Sequence, residues 1–110
     1  MSNSTVNEAV SHNLYFEGKV QSLGLETQKG KATVGVMKPG AYTFSASAPE
    51  KMIIISGTLE VNLNGNEFVS YTDQQEFEVP AGTSFNVKCN ADVAYLCYYG
   101  QAATAFVKPR

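Results

Sequence analysis

The chain has 110 residues, 44% of them hydrophobic and 16% charged, the composition of one soluble globular domain. The formal net charge is −2, the lysines are scattered singly and the one arginine, Arg110, is the last residue, which argues against nucleic acid or an anionic membrane surface as a partner. Cys89 and Cys97 are too few for a disulfide framework and lack zinc spacing, no apolar run could span a bilayer, and no secretory pattern opens the chain, so a cytoplasmic protein with two buried thiols is expected.

Residues 1–13 are polar and without a sustained period, and are expected to form a flexible leader, with one domain over 14–110. Strands then follow in short units. Val20, Leu23 and Leu25 begin the apolar record, and the β-branched Thr33–Met37 run stops at a Lys38-Pro39-Gly40 turn. Ala41–Phe44 places Tyr42 and Phe44 on one face. Met52–Ile55 is continuously apolar, as a strand buried on both faces would be, and Gly57 ends it. Thr58–Leu63 alternates, with Leu59, Val61 and Leu63 inward, and leads to Asn64-Gly65, the pair that favours a two-residue type I′ hairpin. Phe68–Tyr71, Phe77–Val79, Phe85–Cys89 and Val93–Tyr99 complete the set, with a turn at Pro80–Gly82. No segment shows capped helical periodicity, and short strands between glycine-rich turns predict an all-β, jelly-roll barrel.

Two spacings give this barrel a character. Glu50 is followed by six residues and then Gly57, which resembles the Glu-x6-Gly end of the first cupin motif. Pro80-Ala81-Gly82-Thr83-Ser84-Phe85 resembles the Pro-x-Gly-x-x-His second motif, with Phe85 where the histidine would stand. Metal-holding cupins use three histidines and a glutamate. This chain has one histidine, His12, and it lies in the leader, so no metal cofactor is expected.

Longer blocks narrow the resemblance. Tyr15-Phe16, Gly18-Lys19-Val20, Ala32–Met37, Gly40–Phe44, Pro49–Met52, Ile55-Ser56-Gly57, Leu59-Glu60-Val61, Val79-Pro80, Phe85 and Tyr95–Tyr99 are similar to the small bacterial cupins of the pyrimidine/purine nucleoside phosphorylase family. That resemblance implies a cytoplasmic homodimer that uses inorganic phosphate, with no other cofactor, to split nucleosides into free base and ribose 1-phosphate. The leader and the tail beyond Tyr99 depart from the family's usual length. Tyr98 stands where relatives carry arginine, a substitution that weakens phosphate binding if that arginine serves it.

Phosphorolysis of an N-glycosidic bond needs phosphate and sugar held in line, a stabilised leaving base and negative charge near an oxocarbenium-like sugar. Glu50, an inward carboxylate with no metal to ligate, suits ribose hydroxyls; its alternatives are a motif relic hydrogen-bonded to a backbone amide, or a solvated turn residue beside Lys51. Phe85 stands in the place of a metal cupin's histidine, Tyr42 and Phe44 stand near the places of a His-x-His pair, and the three either stack on a base or pack the core. Tyr95 and Tyr99 share one face of the last strand with Cys97, Tyr98 takes the other, and the sequence leaves open which face lines the barrel. Lys38 and Lys51 are the cations nearest the motif and the candidates for phosphate. A non-catalytic cupin binding a small metabolite or sugar, and a structural dimer formed sheet to sheet, are the competing readings.

Overall fold

The computed structural model describes residues 9–65 and 67–104. Ten strands follow in chain order: β1 (His12–Tyr15), β2 (Val20–Thr27), β3 (Gly30–Met37), β4 (Gly40–Ala46), β5 (Glu50–Ser56), β6 (Leu59–Asn62), β7 (Val69–Tyr71), β8 (Glu76–Val79), β9 (Thr83–Cys89) and β10 (Val93–Tyr99). A single helical turn, α1 (Gln101–Thr104), closes the described chain. The strands form two antiparallel sheets, six-stranded in the order β1-β2-β3-β10-β5-β8 and four-stranded in the order β4-β9-β6-β7.

Alternation builds the core from both sheets. Val20, Met37, Ile54, Val79 and Tyr95 come from one inner face, and Tyr42, Leu59, Val61, Phe85 and Val87 from the other. Strand residues of opposite parity point outward, which is why β9 reads buried at Phe85, Val87 and Cys89 and exposed between them. Gly57, the glycine of the Glu-x6-Gly spacing, has φ +104°, and a Cβ there would lie 2.7 Å from the Asp92 carbonyl oxygen. The spacing thus marks a point where the chain leaves β5 against the start of β10, a contact that only glycine allows.

Four details differ from the sequence reading. His12 and Asn13, assigned to the leader, pair with Leu23 and Ser22 in the sheet; residues 1–8 lie outside the described residues. The Met52–Ile55 run is not buried on both faces: Met52 and Ile54 are buried, Ile53 is half-buried and Ile55 is exposed. Asn64-Gly65 is not a two-residue hairpin. β6 ends at Asn62 and β7 begins at Val69, Gly65 alone of the pair has positive φ, and its N–H donates to Asn62 Oδ1 at 2.6 Å. The side chain of Asn62 draws the backbone into a wider loop. Finally, α1 packs Ala102 and Ala103 onto the sheet, Ala102 against Gly30, in a segment without helical periodicity.

Candidate functional site

The face of β10 that the sequence left open is settled by register. Tyr95 lies opposite Gly35 on β3, and Cys97 lies opposite Thr33 on β3 and Met52 on β5. This puts Tyr95, Cys97 and Tyr99 inside the barrel and Tyr98 outside, beside Lys51. Tyr98 therefore faces away from the interior.

Between the sheets is a cavity of about 140 Å³. Its polar lining residues are Glu50, Cys97, Tyr15, Ser22, Tyr95 and Tyr99, with Ser45 at the edge and its hydroxyl turned outward to Ser84 at 2.9 Å. Met37, Phe44, Met52 and Phe85 supply the apolar wall. Among the described residues, no lysine, arginine or histidine lines it. Two wider depressions, about 640 and 410 Å³, lie along β2 and β3. Their charged residues are peripheral, such as the Glu26–Lys31 ion pair, in which both side chains are well exposed. Of these three cavities among the described residues, the inner one gathers titratable groups under burial, which makes it the candidate site.

Glu50 is held at the start of β5, where Tyr99 is its partner on β10. The Cys97 thiol donates to Glu50 Oε1 at 3.7 Å. Burial pushes the Glu50 carboxyl above the ordinary glutamate range, and the thiol's donation offsets part of that rise. The thiol itself is pushed far up, first by burial and then by the charge of Glu50, so Cys97 is a proton-bearing donor and not a nucleophile. Burial likewise raises Tyr95 and Tyr99, keeping both phenols protonated as donors.

Each phenol has a seat. Tyr99 Oη lies 2.8 Å from Thr33 Oγ1. The Tyr95 hydroxyl is hydrogen-bonded to Ser22, whose Oγ accepts from Asn13 Nδ2 at 3.1 Å. The Tyr95 ring lies across Gly35, where an added Cβ would be 2.4 Å from the ring. A residue without a side chain at position 35 is what lets this tyrosine lie flat against its neighbouring strand.

Of the residues singled out from sequence, Glu50, Phe44, Phe85, Tyr95 and Tyr99 meet at the cavity. Tyr42 does not line it: the ring packs in the core, and its hydroxyl donates to the Lys38 carbonyl oxygen at 2.6 Å. Lys38 also stands apart, with its ammonium paired to Asp92 at 3.1 Å. Lys51 points to the opposite face from Glu50 and bridges Glu76 at 3.0 Å and Glu78 at 3.6 Å. The period of two on β5 separates the neighbours, so adjacency in the chain does not bring Lys51 to the cavity that Glu50 lines. The cavity residues Tyr15, Ser22, Ser45 and Cys97 were not singled out from sequence. Cys97 had a usable signal in its shared parity with Tyr95 and Tyr99, whereas Tyr15 and Ser22 had none, since strand pairing alone brings β1 and β2 to the site. Among the described residues, no three of His, Cys, Asp and Glu gather as a metal would require.

A sequence model of the pyrimidine/purine nucleoside phosphorylase family matches residues 10–99. The chain belongs to that family. It is similar to the pyrimidine/purine nucleoside phosphorylase of Tolumonas auensis, at 47% identity over 79% of this chain and 95% of the relative. The like-named protein of Photobacterium profundum is 44% identical over the same shares. Among solved structures, a protein of unknown function from Vibrio parahaemolyticus superposes with a TM-score of 0.78 at 38% identity, covering 81% of this chain and 96% of that one. A RmlC-like cupin from Shewanella frigidimarina superposes with a TM-score of 0.68 at 17% identity over 94% of both chains, which shows the cupin fold alone. In this chain the cavity around Glu50 is the interior of a cupin barrel with Phe85 in the wall. No helix of the described residues is long and apolar enough to cross a membrane.

Proposed function

We propose that this cavity is where inorganic phosphate splits purine and pyrimidine nucleosides into free base and ribose 1-phosphate. The observation that supports the reading is the inward Glu50 carboxyl sharing one cavity with Tyr95 and Tyr99 in a family of named nucleoside phosphorylases. In the reaction a phosphate oxygen attacks C1′, the C1′–N bond breaks, and its electron pair leaves with the base, which takes up a proton. Ionised Glu50 accepts hydrogen bonds from the ribose hydroxyls and stabilises the positive charge that grows on the sugar. The two phenols donate to sugar or phosphate oxygens. The protein acts as a cytoplasmic homodimer with phosphate as its co-substrate and no other cofactor.

The test is base release from uridine, inosine, guanosine and adenosine, each with and without phosphate. Phosphate-dependent release with matching ribose 1-phosphate is expected. One observation favours a second reading, a cupin that binds a small metabolite without turnover: among the described residues, the cavity lining offers phosphate no cation. Tight nucleoside binding with no base released in any of the assays would decide for it.

A further inference from the structure

The cavity is small for the substrate assigned to it. Pockets that enclose a drug-sized ligand run to roughly 300–1,000 Å³, whereas this one holds about 140 Å³, room for a sugar-sized group but not for sugar, base and phosphate together. Part of a bound nucleoside must stand at the opening. Tyr15 lines the cavity and is still 43% exposed, so its ring reaches from the interior to solvent. Phe16 beside it is 42% exposed.

These two rings lie where the chain leaves β1 of the six-stranded sheet and meets β4 of the four-stranded one. Tyr15 stands edge-on to Phe44 with centroids 6.3 Å apart. Phe16 is 5.5 Å from Phe44 and 4.9 Å from Tyr42. The backbone that holds them is unusual, because Phe16 and Glu17 have φ +52° and +58°, in the left-handed region that side chains disfavour. Such conformations persist where the surroundings impose them, and they gather at ligand clamps. The packing of Phe16 on Tyr42 and Phe44 supplies that imposition here.

We propose that Tyr15 and Phe16 form the platform on which the nucleobase stacks, with the sugar directed inward to Glu50. The inference rests on the assignment of the cavity to nucleosides. Stacking engages the π-face common to all bases, so this rim admits purines and pyrimidines alike and discriminates weakly between them.

The test compares Tyr15→Ala and Phe16→Leu with wild type on uridine and inosine; leucine keeps the bulk that packs on Tyr42 and Phe44. Loss of base stacking is expected to raise KM for both nucleosides by about tenfold in Tyr15→Ala and by about fivefold in Phe16→Leu. The KM for phosphate and the kcat should stay close to wild type, and thermal melts should show both variants folded. Unchanged nucleoside KM in folded variants overturns the proposal, as does a rise confined to one class of base. Should wild type release no base, the reaction fails rather than the platform, and calorimetric titration with uridine then decides. Weaker binding by Tyr15→Ala sustains the platform; equal binding by the two proteins, or none by wild type, overturns it.

Discussion

Glu50 and Lys51 are consecutive residues of β5, and the fold treats their charges in opposite ways. Lys51 lies on the outer face with its side chain 7% exposed, and two carboxylates on β8 compensate it. Glu50 lies on the inner face, where the Cys97 thiol is its donor and no cation comes within salt-bridge distance among the described residues. A buried charge that the fold neutralises contributes to structure. A carboxyl placed among phenols and a thiol, with burial raising its pKa, is poised for a partner that arrives with hydroxyl donors.

The contrast breaks most readily at Glu50. Glu50→Gln is expected to lower kcat by about tenfold or more, the loss of charge-assisted hydrogen bonds to the sugar. It should not unfold the protein. A group whose folded pKa is raised contributes stability that is full below its ordinary pKa and is lost as pH rises through the raised value. At neutral pH the wild-type carboxylate therefore costs stability, and the glutamine variant should melt at the same temperature or higher. Unchanged kinetics with a lowered melting temperature would remove Glu50 from the site and make it structural.

Lys51→Ala should do the reverse. It removes a buried aliphatic stem and the counter-charge of Glu76 and Glu78, and is expected to cost about 1–2 kcal/mol, moderated because both carboxylates stay in reach of water. The kcat and the KM for phosphate should remain within about twofold, a change too small to remove a charged phosphate contact. Denaturant melts and steady-state kinetics check both parts, and a large rise in phosphate KM would return Lys51 to the site.

Cys97→Ala gives the smallest and most discriminating effect. The thiol's donation lowers the Glu50 pKa against burial, so its removal raises that pKa further. Activity that depends on ionised Glu50 rises with pH, with a midpoint above the ordinary glutamate range. In Cys97→Ala this ascending limb should move to higher pH, and Cys97→Ser, which keeps a donor, should restore it. A limb that stays in place in both variants would separate Cys97 from Glu50.

Much of this was legible in the chain. Alternation at Leu59–Val61 and Phe85–Cys89, the Glu50–Gly57 spacing and the phenylalanine at position 85 disclosed an all-β cupin and its inward carboxyl. Where expectation failed, a local cue met a competing interaction. Asn64-Gly65 favoured a tight hairpin until the Asn62 side chain captured the Gly65 N–H, and Lys38 and Lys51 sat beside the motif yet found carboxylates elsewhere.

The sequence by itself determined which residues alternate, where the chain must turn and what chemistry the motif positions can carry, because those properties depend on neighbours a few residues away. Only the tertiary structure decided which face of β10 lines the barrel and that Tyr15 and Ser22 join Glu50 there. Both faces of β10 carry aromatic and apolar side chains, so its pattern is silent, and its inner face is set by pairing with β3 and β5, more than 35 residues away in the chain. Register between distant strands is a global property, fixed when the two sheets close over a shared core.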